Sequence, residues 1–179
     1  MTHHRIELDW MGQKVTTLSD LWPQDLRAVV VGINPAPRSV EIGHYYQGNL
    51  GQVLFRRLRN LGILGHQAEG FEDDQALSIG IGFTDVVKRP TSNAAEVRPE
   101  ELAFGKGILE AELAARQAPL VIFAFKQAAE TMLGKFRGNG FISTSALGDT
   151  RAFVMPGPYE SAATANATLK DLQNYWGRS

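Results

Sequence analysis

Val29-Val30-Val31-Gly32-Ile33-Asn34-Pro35-Ala36-Pro37-Arg38-Ser39 is the stretch that decides the fold: three branched apolar residues run into a glycine, an amide side chain and two prolines. An apolar run without polar alternation reads as a strand buried on both faces, the pattern of a parallel sheet. Neither proline carries the N–H that a ladder needs, so the strand stops at Asn34 and delivers it to the rim of the sheet. In open α/β sheets that rim, outside the carboxyl ends of the strands, is where ligands bind. For Asn34 two readings are open here: a ligand-facing amide, or a turn asparagine bonded to its own backbone.

Outward from this strand, which spans residues 26–34, three more apolar runs follow, within residues 77–87, 119–125 and 151–155. Helical patterns separate them. Val53, Leu54, Leu58 and Leu61 fall at helical spacing and end near Gly62, with Arg56, Arg57 and Arg59 on a solvated face. Residues 99–117 place Leu102, Ile108, Leu109 and Leu113 on one apolar side. Residues 126–134 form a short helix, and residues 161–176 a final one, capped by Ser161 or Thr164. Alternating strands and helices predict an α/β fold: a three-layer α/β/α sandwich with a mainly four-stranded parallel sheet. Residues 5–18 alternate around Met11-Gly12 and add a small amino-terminal hairpin, or else an irregular arm packed on the core. Residues 35–48 are expected to be a loop of functional length. Residues 138–150, rich in glycine and serine, leave room for a minor strand. The length suits one domain over residues 1–179.

Composition removes several function classes. Hydrophobic residues make up 44% and net charge is −1, which supplies a core and argues against the strongly basic character of many nucleic-acid binders. Local patches can still meet phosphates. The absence of cysteine excludes disulfides, thiol nucleophiles and cysteine-held zinc or iron–sulfur centres. His3, His4, His44 and His66 show no metal spacing, and His3 and His4 are set aside as a terminal remnant, so no metal and no organic cofactor is expected. No apolar run approaches the ~20 residues of a membrane helix, and no signal-peptide core follows Met1, so no membrane partner and a cytoplasmic location are expected. No G-x-G-x-x-G, P-loop or G-x-S-x-G pattern occurs, which leaves dinucleotide, P-loop and serine-hydrolase chemistry unsupported.

What remains is convergence. Asn34, Asp85, Lys126 and the turn at residues 155–159 each follow a strand, so a parallel sheet brings them to one rim. Gly32-Ile33-Asn34-Pro35 followed by Gly43-His44-Tyr45-Tyr46 resembles the first motif of the mismatch-specific uracil/thymine-DNA glycosylases, within the uracil-DNA glycosylase superfamily. Gly82-Phe83-Thr84-Asp85-Val86-Val87-Lys88-Arg89-Pro90-Thr91 resembles that family's next block, and Phe125-Lys126-Gln127-Ala128 its third strand-to-helix junction. The likeness runs in order over residues 27–172.

The resemblance implies a monofunctional enzyme that flips a damaged base out of double-stranded DNA and hydrolyses its N-glycosidic bond in base excision repair. Asn34 stands at the family's catalytic asparagine, to orient water; Asp85 would activate that water or stabilise positive charge on the sugar. Alternatively, Asp85 caps a turn or pairs with Lys88 or Arg89. Tyr46 aligns with the aromatic that stacks on the flipped base, with Tyr45 as an alternate or a core residue. Gly32, Ile33, Pro35 and Ser39 would line the base pocket. Arg38 and Lys126 would reach phosphates, or remain solvated surface cations. The last motif departs from the family: Met155-Pro156-Gly157-Pro158-Tyr159 replaces a histidine- or asparagine-proline-serine turn. These five residues are expected to meet the duplex, with Tyr159 as the wedge. The absence of cysteine favours a branch without an iron–sulfur cluster. The protein is expected to act as a monomer, in the cytoplasm and at the nucleoid. Competing readings are a glycosylase for hypoxanthine or xanthine, a damaged-DNA-binding module without activity, and a mononucleotide binder built on the Lys126 helix start.

Overall fold

The computed structural model describes residues 3–65 and 70–178, so His66 lies outside the described residues. At the amino terminus β1 (Arg5–Trp10) and β2 (Gln13–Leu18) pair antiparallel as the expected hairpin. Their turn, Met11-Gly12, has φ of 54° and 79°, the left-handed pair that two-residue hairpin loops require. The main sheet contains β3 (Ala28–Gly32), β4 (Ile81–Asp85), β5 (Leu120–Phe123), β6 (Gly140–Ile142) and β7 (Arg151–Val154), in the order β4-β3-β5-β7-β6. All but β6 run parallel; β6 is the minor strand of the glycine-rich excursion and lies antiparallel on β7.

Alternation along the strands divides the core in two. Val30, Ile81, Phe83, Ile122 and Phe153 meet α2 (Asn49–Asn60) through Leu54, Phe55 and Leu58. The same layer holds α3 (Glu72–Ser78) and α6 (Ala162–Trp176), through Ala76 and through Leu169 and Leu172. Val29, Val31, Val121, Phe123 and Val154 face the opposite way. They meet α4 (Pro99–Ala115), α5 (Lys126–Leu133) and Trp10 of the hairpin. The result is the α/β/α sandwich. Among the described residues no helix is long and apolar enough to cross a membrane.

The helices differ from the sequence reading at α1, α3 and α4. Residues 35–48 are not one loop, because α1 (Pro37–Ile42) begins at Pro37, a residue whose fixed φ suits a first helical turn. α3 falls in a stretch that carries no apolar periodicity; its first turn is acidic, which the helix dipole favours. In α4 the buried stripe is Glu101-Gly105-Leu109-Leu113, at four-residue intervals, while Ile108 is 45% exposed.

Glu101 is a buried carboxylate in that stripe. It takes two hydrogen bonds from Arg89, at 2.8 and 2.7 Å, and one from the Arg98 backbone N–H. These bonds, the Arg89 side chain's first, hold its carboxyl down to about 2. Because the folded value lies below the ordinary 4.5, the pair's stabilisation is complete above pH 4.5 and is lost as pH falls toward 2. Glu101→Ala strands the Arg89 charge and is expected to cost about 3 kcal/mol at pH 7. The deficit should shrink in denaturant melts run below pH 4.

Candidate functional site

A cleft of about 590 Å³ opens at the carboxyl ends of the parallel strands. β3 and β5 lie side by side, and the chain leaves β3 toward β4 but leaves β5 toward β6 and β7 on the opposite side. Such a switch point parts the loops and forms the crevice where open sheets bind ligands. Gly32, Ile33, Asn34 and Pro35 line the cleft from β3, Asp85 from β4, and Phe125 and Gln127 from the β5–α5 junction. Ser39, Tyr45 and Tyr46 enter from the segment that contains α1.

Asn34 is not a self-bonded turn residue. Its Nδ2 donates to the Arg89 carbonyl at 3.0 Å and to Thr91 Oγ1 at 2.8 Å. Both amide hydrogens are therefore committed to the loop after β4, and the Oδ1 acceptor is left for the cleft. Thr91 passes its own proton to the Asn93 carbonyl at 2.8 Å. Arg89 is fixed in turn by Glu101, so the amide is held by a network that ends in the core. Sequence reading includes Thr91 at the end of the block that opens at Gly82 but gives it no role; that role depends on a contact 57 residues away.

Asp85 lies beside Gly32 in the β3–β4 register. Its side chain is 4% exposed and has no hydrogen-bond partner among the described residues. The pairing with Lys88 or Arg89 is not made by the carboxylate: Lys88 Nζ donates to Asp20, Thr84 and the Asp85 backbone carbonyl, and Arg89 to Glu101. Burial pushes the Asp85 carboxyl up to about 7, against the pull of the Lys88 cation and with Asp20 adding to the rise. A buried carboxylate poised near neutrality in the lining of a crevice is suited to taking a proton.

Tyr46 reaches the same point. Its half-buried ring stands edge-on to Phe55 and tilted against Tyr45 and Phe83, while its buried hydroxyl has no partner among the described residues. Burial, then the Asp85 charge, drives the phenol well above its usual range. A Cβ at Gly32 would stand 2.2 Å from Asp85 Oδ1 and 2.9 Å from Tyr46 Oη, so the missing side chain is the space both polar tips occupy. The Tyr46 backbone holds φ at 57°, left-handed and costly for a bulky residue. The start of α2 keeps it there, since a Cβ on Gly51 would lie 2.7 Å from Tyr46 Cα. Tyr45 is core: it is buried and donates its hydroxyl to the Ser19 carbonyl at 3.1 Å.

The other expected site residues divide between the scaffold and the exposed surface. Ser39 lines the cleft, and its Oγ accepts from the Gln47 N–H at 3.0 Å, which shapes the turn around Tyr46. Arg38 is exposed and pairs with Glu41 at 2.9 Å. Lys126 is exposed, 3.6 Å from Glu130, while its neighbours Phe125 and Gln127 line the cleft. Met155 does not face outward. It continues the β7 alternation with its N–H on the Phe123 carbonyl at 3.0 Å, so its side chain packs beside Phe153 and is 3% exposed.

Pro156 is buried as well, and its carbonyl accepts from Arg57, as does that of Gly157 at 2.8 Å. Arg57 thus leaves the solvated face assigned to it and clamps the turn; Arg59 pairs with Glu72 at 2.7 Å. Glu160 turns inward, accepting from Asn139 and the Gly157 N–H. Gly157 and Pro158 are half-buried, and Tyr159 is 86% exposed at the tip of the turn.

The histidines also require correction. His4 is buried, not a loose remnant, and its Nε2 lies 2.8 Å from Asp74 Oδ1. His44 Nδ1 lies 2.9 Å from Asp73 Oδ1. The sequence hides this group because its members come from three separate segments.

The family model described as the uracil DNA glycosylase superfamily matches residues 19–178 of this chain.

Proposed function

The chain belongs to the uracil DNA glycosylase superfamily and has a DNA glycosylase's role on damaged bases; from that premise we propose that it removes uracil, or a related deaminated or alkylated base, in the manner of the mismatch-specific branch. The observation that carries this reading is the meeting of two groups in one crevice: the Asn34 Oδ1 acceptor, locked in direction by its own amide hydrogens, and the buried Asp85 carboxylate, free of any hydrogen bond among the described residues.

The reaction needs little covalent help from the protein. A flipped nucleotide places its base against the Tyr46 ring and its sugar near the strand ends. Asn34 Oδ1 accepts a hydrogen bond from water and aims its oxygen at the sugar C1′. Asp85, ionised, takes a proton from that water as the C1′–O bond forms. The C1′–N bond breaks, its electron pair leaves with the base as an anion, and the oxocarbenium-like sugar is stabilised meanwhile by the same carboxylate. No metal or organic cofactor enters the step.

Double-stranded DNA is the proposed partner, approached by a monomer with Tyr159 leading. Support for that orientation comes from the turn itself, which Arg57 and Glu160 brace while its one aromatic ring stands in solvent. An interior role remains for Met155 and Pro156, beneath the turn.

The test is a panel of duplex oligonucleotides carrying uracil, thymine, hypoxanthine or xanthine opposite each base, cleaved by alkali after incubation. Uracil-containing duplexes are expected to yield abasic product fastest, and Tyr159→Ala to slow the duplex reaction by about tenfold while sparing single strands. Preference for hypoxanthine or xanthine would move the assignment to another deaminated base. Lesion binding without base release would overturn the catalytic reading.

A further inference from the structure

We propose that His4, His44, Asp73 and Asp74 form a binding site for one first-row divalent cation of the zinc class. Their ligand atoms all lie within 4.8 Å of one another. Each imidazole nitrogen faces both carboxylates: His4 Nε2 is 2.8 Å from Asp74 and 4.0 Å from Asp73, and His44 Nδ1 is 2.9 Å from Asp73 and 4.0 Å from Asp74. In a tetrahedral site with bonds of ~2.0–2.2 Å, neighbouring ligand atoms stand roughly 3.4 Å apart. The observed separations straddle that value, so small side-chain movements suffice to close the shell.

The donor set selects the ion. Two imidazoles with two carboxylates suit zinc and its first-row neighbours, whereas calcium and magnesium prefer oxygen alone. Two carboxylates and two neutral imidazoles carry a charge of −2, which a divalent cation cancels. The outer contacts are in place too, and such contacts orient ligands. Asp73 Oδ2 accepts from the Tyr45 N–H at 2.8 Å, and Asp73 Oδ1 from the Asp74 N–H at 3.0 Å. The His44 ring is stacked on Phe71, with centroids 3.6 Å apart. Three ligands are buried, and Asp74, 38% exposed, provides the way in.

An ion here would staple three segments: the chain entering β1, the end of α1, and the start of α3. Through the bond from the Tyr45 N–H to Asp73, it would also fix the turn that holds Tyr46 in its left-handed conformation. The site is separate from the glycosidic chemistry and does not depend on the lesion assigned above.

The test uses the full chain without an affinity tag, stripped with chelator and titrated calorimetrically with zinc chloride alone. One ion per chain is expected, with a rise of several degrees in melting temperature. Cobalt(II) should give the intense visible bands of a tetrahedral site. Asp74→Ala, at the open edge, and His4→Ala, at the chain's start, should each weaken binding by at least a hundredfold while preserving the far-ultraviolet circular dichroism. No heat, no thermal shift and no cobalt spectrum would overturn the proposal and leave two hydrogen-bonded His–Asp pairs. Undiminished binding in both variants would overturn it as well, by locating the ion elsewhere.

Discussion

Asp85→Asn is expected to slow base release by about 10³-fold, the scale of a lost general base. The change keeps size and shape, and the carboxylate makes no hydrogen bond among the described residues that an amide would break, so the loss isolates proton transfer and charge. The pH profile checks the assignment. With the Asp85 carboxyl pushed up to about 7, the wild-type rate should rise about tenfold per pH unit below that point and level off above it. The variant's residual rate should be flat over the same range. Stability moves the other way. Since the folded value lies above the ordinary 3.8, Asp85 favours the fold fully below pH 3.8, and that contribution is lost as pH rises through about 7. At pH 8 the wild type carries a buried charge that the variant lacks, so Asp85→Asn should melt higher there. A variant that loses activity and melts lower at pH 8 would return Asp85 to a structural role.

Gly32→Ala is expected to reduce base release by about 10²-fold through one methyl group. The added carbon would stand 2.2 Å from Asp85 Oδ1 and 2.9 Å from Tyr46 Oη, closer than either atom can tolerate. Gly32 is a buried strand residue without a positive φ, so the alanine backbone itself is unstrained. The side chains must yield, and a displacement of about 1 Å at a reacting group costs roughly that factor. Overpacking should lower stability by about 1–3 kcal/mol. The discriminating measurement is the double variant Gly32→Ala with Asp85→Asn. If Gly32 acts by placing Asp85, the two losses will be far from additive. Additive losses would show that the methyl group blocks the base instead.

The strands and their ends were legible because burial on both faces leaves uninterrupted branched residues, and because proline stops a ladder wherever it falls. That logic located Asn34 and Asp85 on one rim. It failed at α1 and α3, six and seven residues long, which are too short for an apolar period to register. Met155 was misread for a different reason: it counts both in the apolar run 151–155 and in the turn, but its N–H joins the ladder, so the alternation sends its side chain inward. The arginines of α2 looked alike in sequence, yet Arg57 finds carbonyls about a hundred positions away and Arg59 a nearby carboxylate. Long-range partners leave no periodic trace. The same holds for His4, whose partner Asp74 is 70 residues distant.

Helix α2 touches the site at both of its ends. Gly51, near its start, seats the backbone of Tyr46, and Arg57, six residues on, grips the carbonyls beneath Tyr159. Six residues of helix rise about 9 Å, and a helix does not stretch. The two aromatic rings are thereby mounted on one rigid ruler. On the proposed reading, a duplex that meets both rings has to fit an interval set by this helix, so the ease with which a base pair opens would contribute to selection alongside the contacts made to the base.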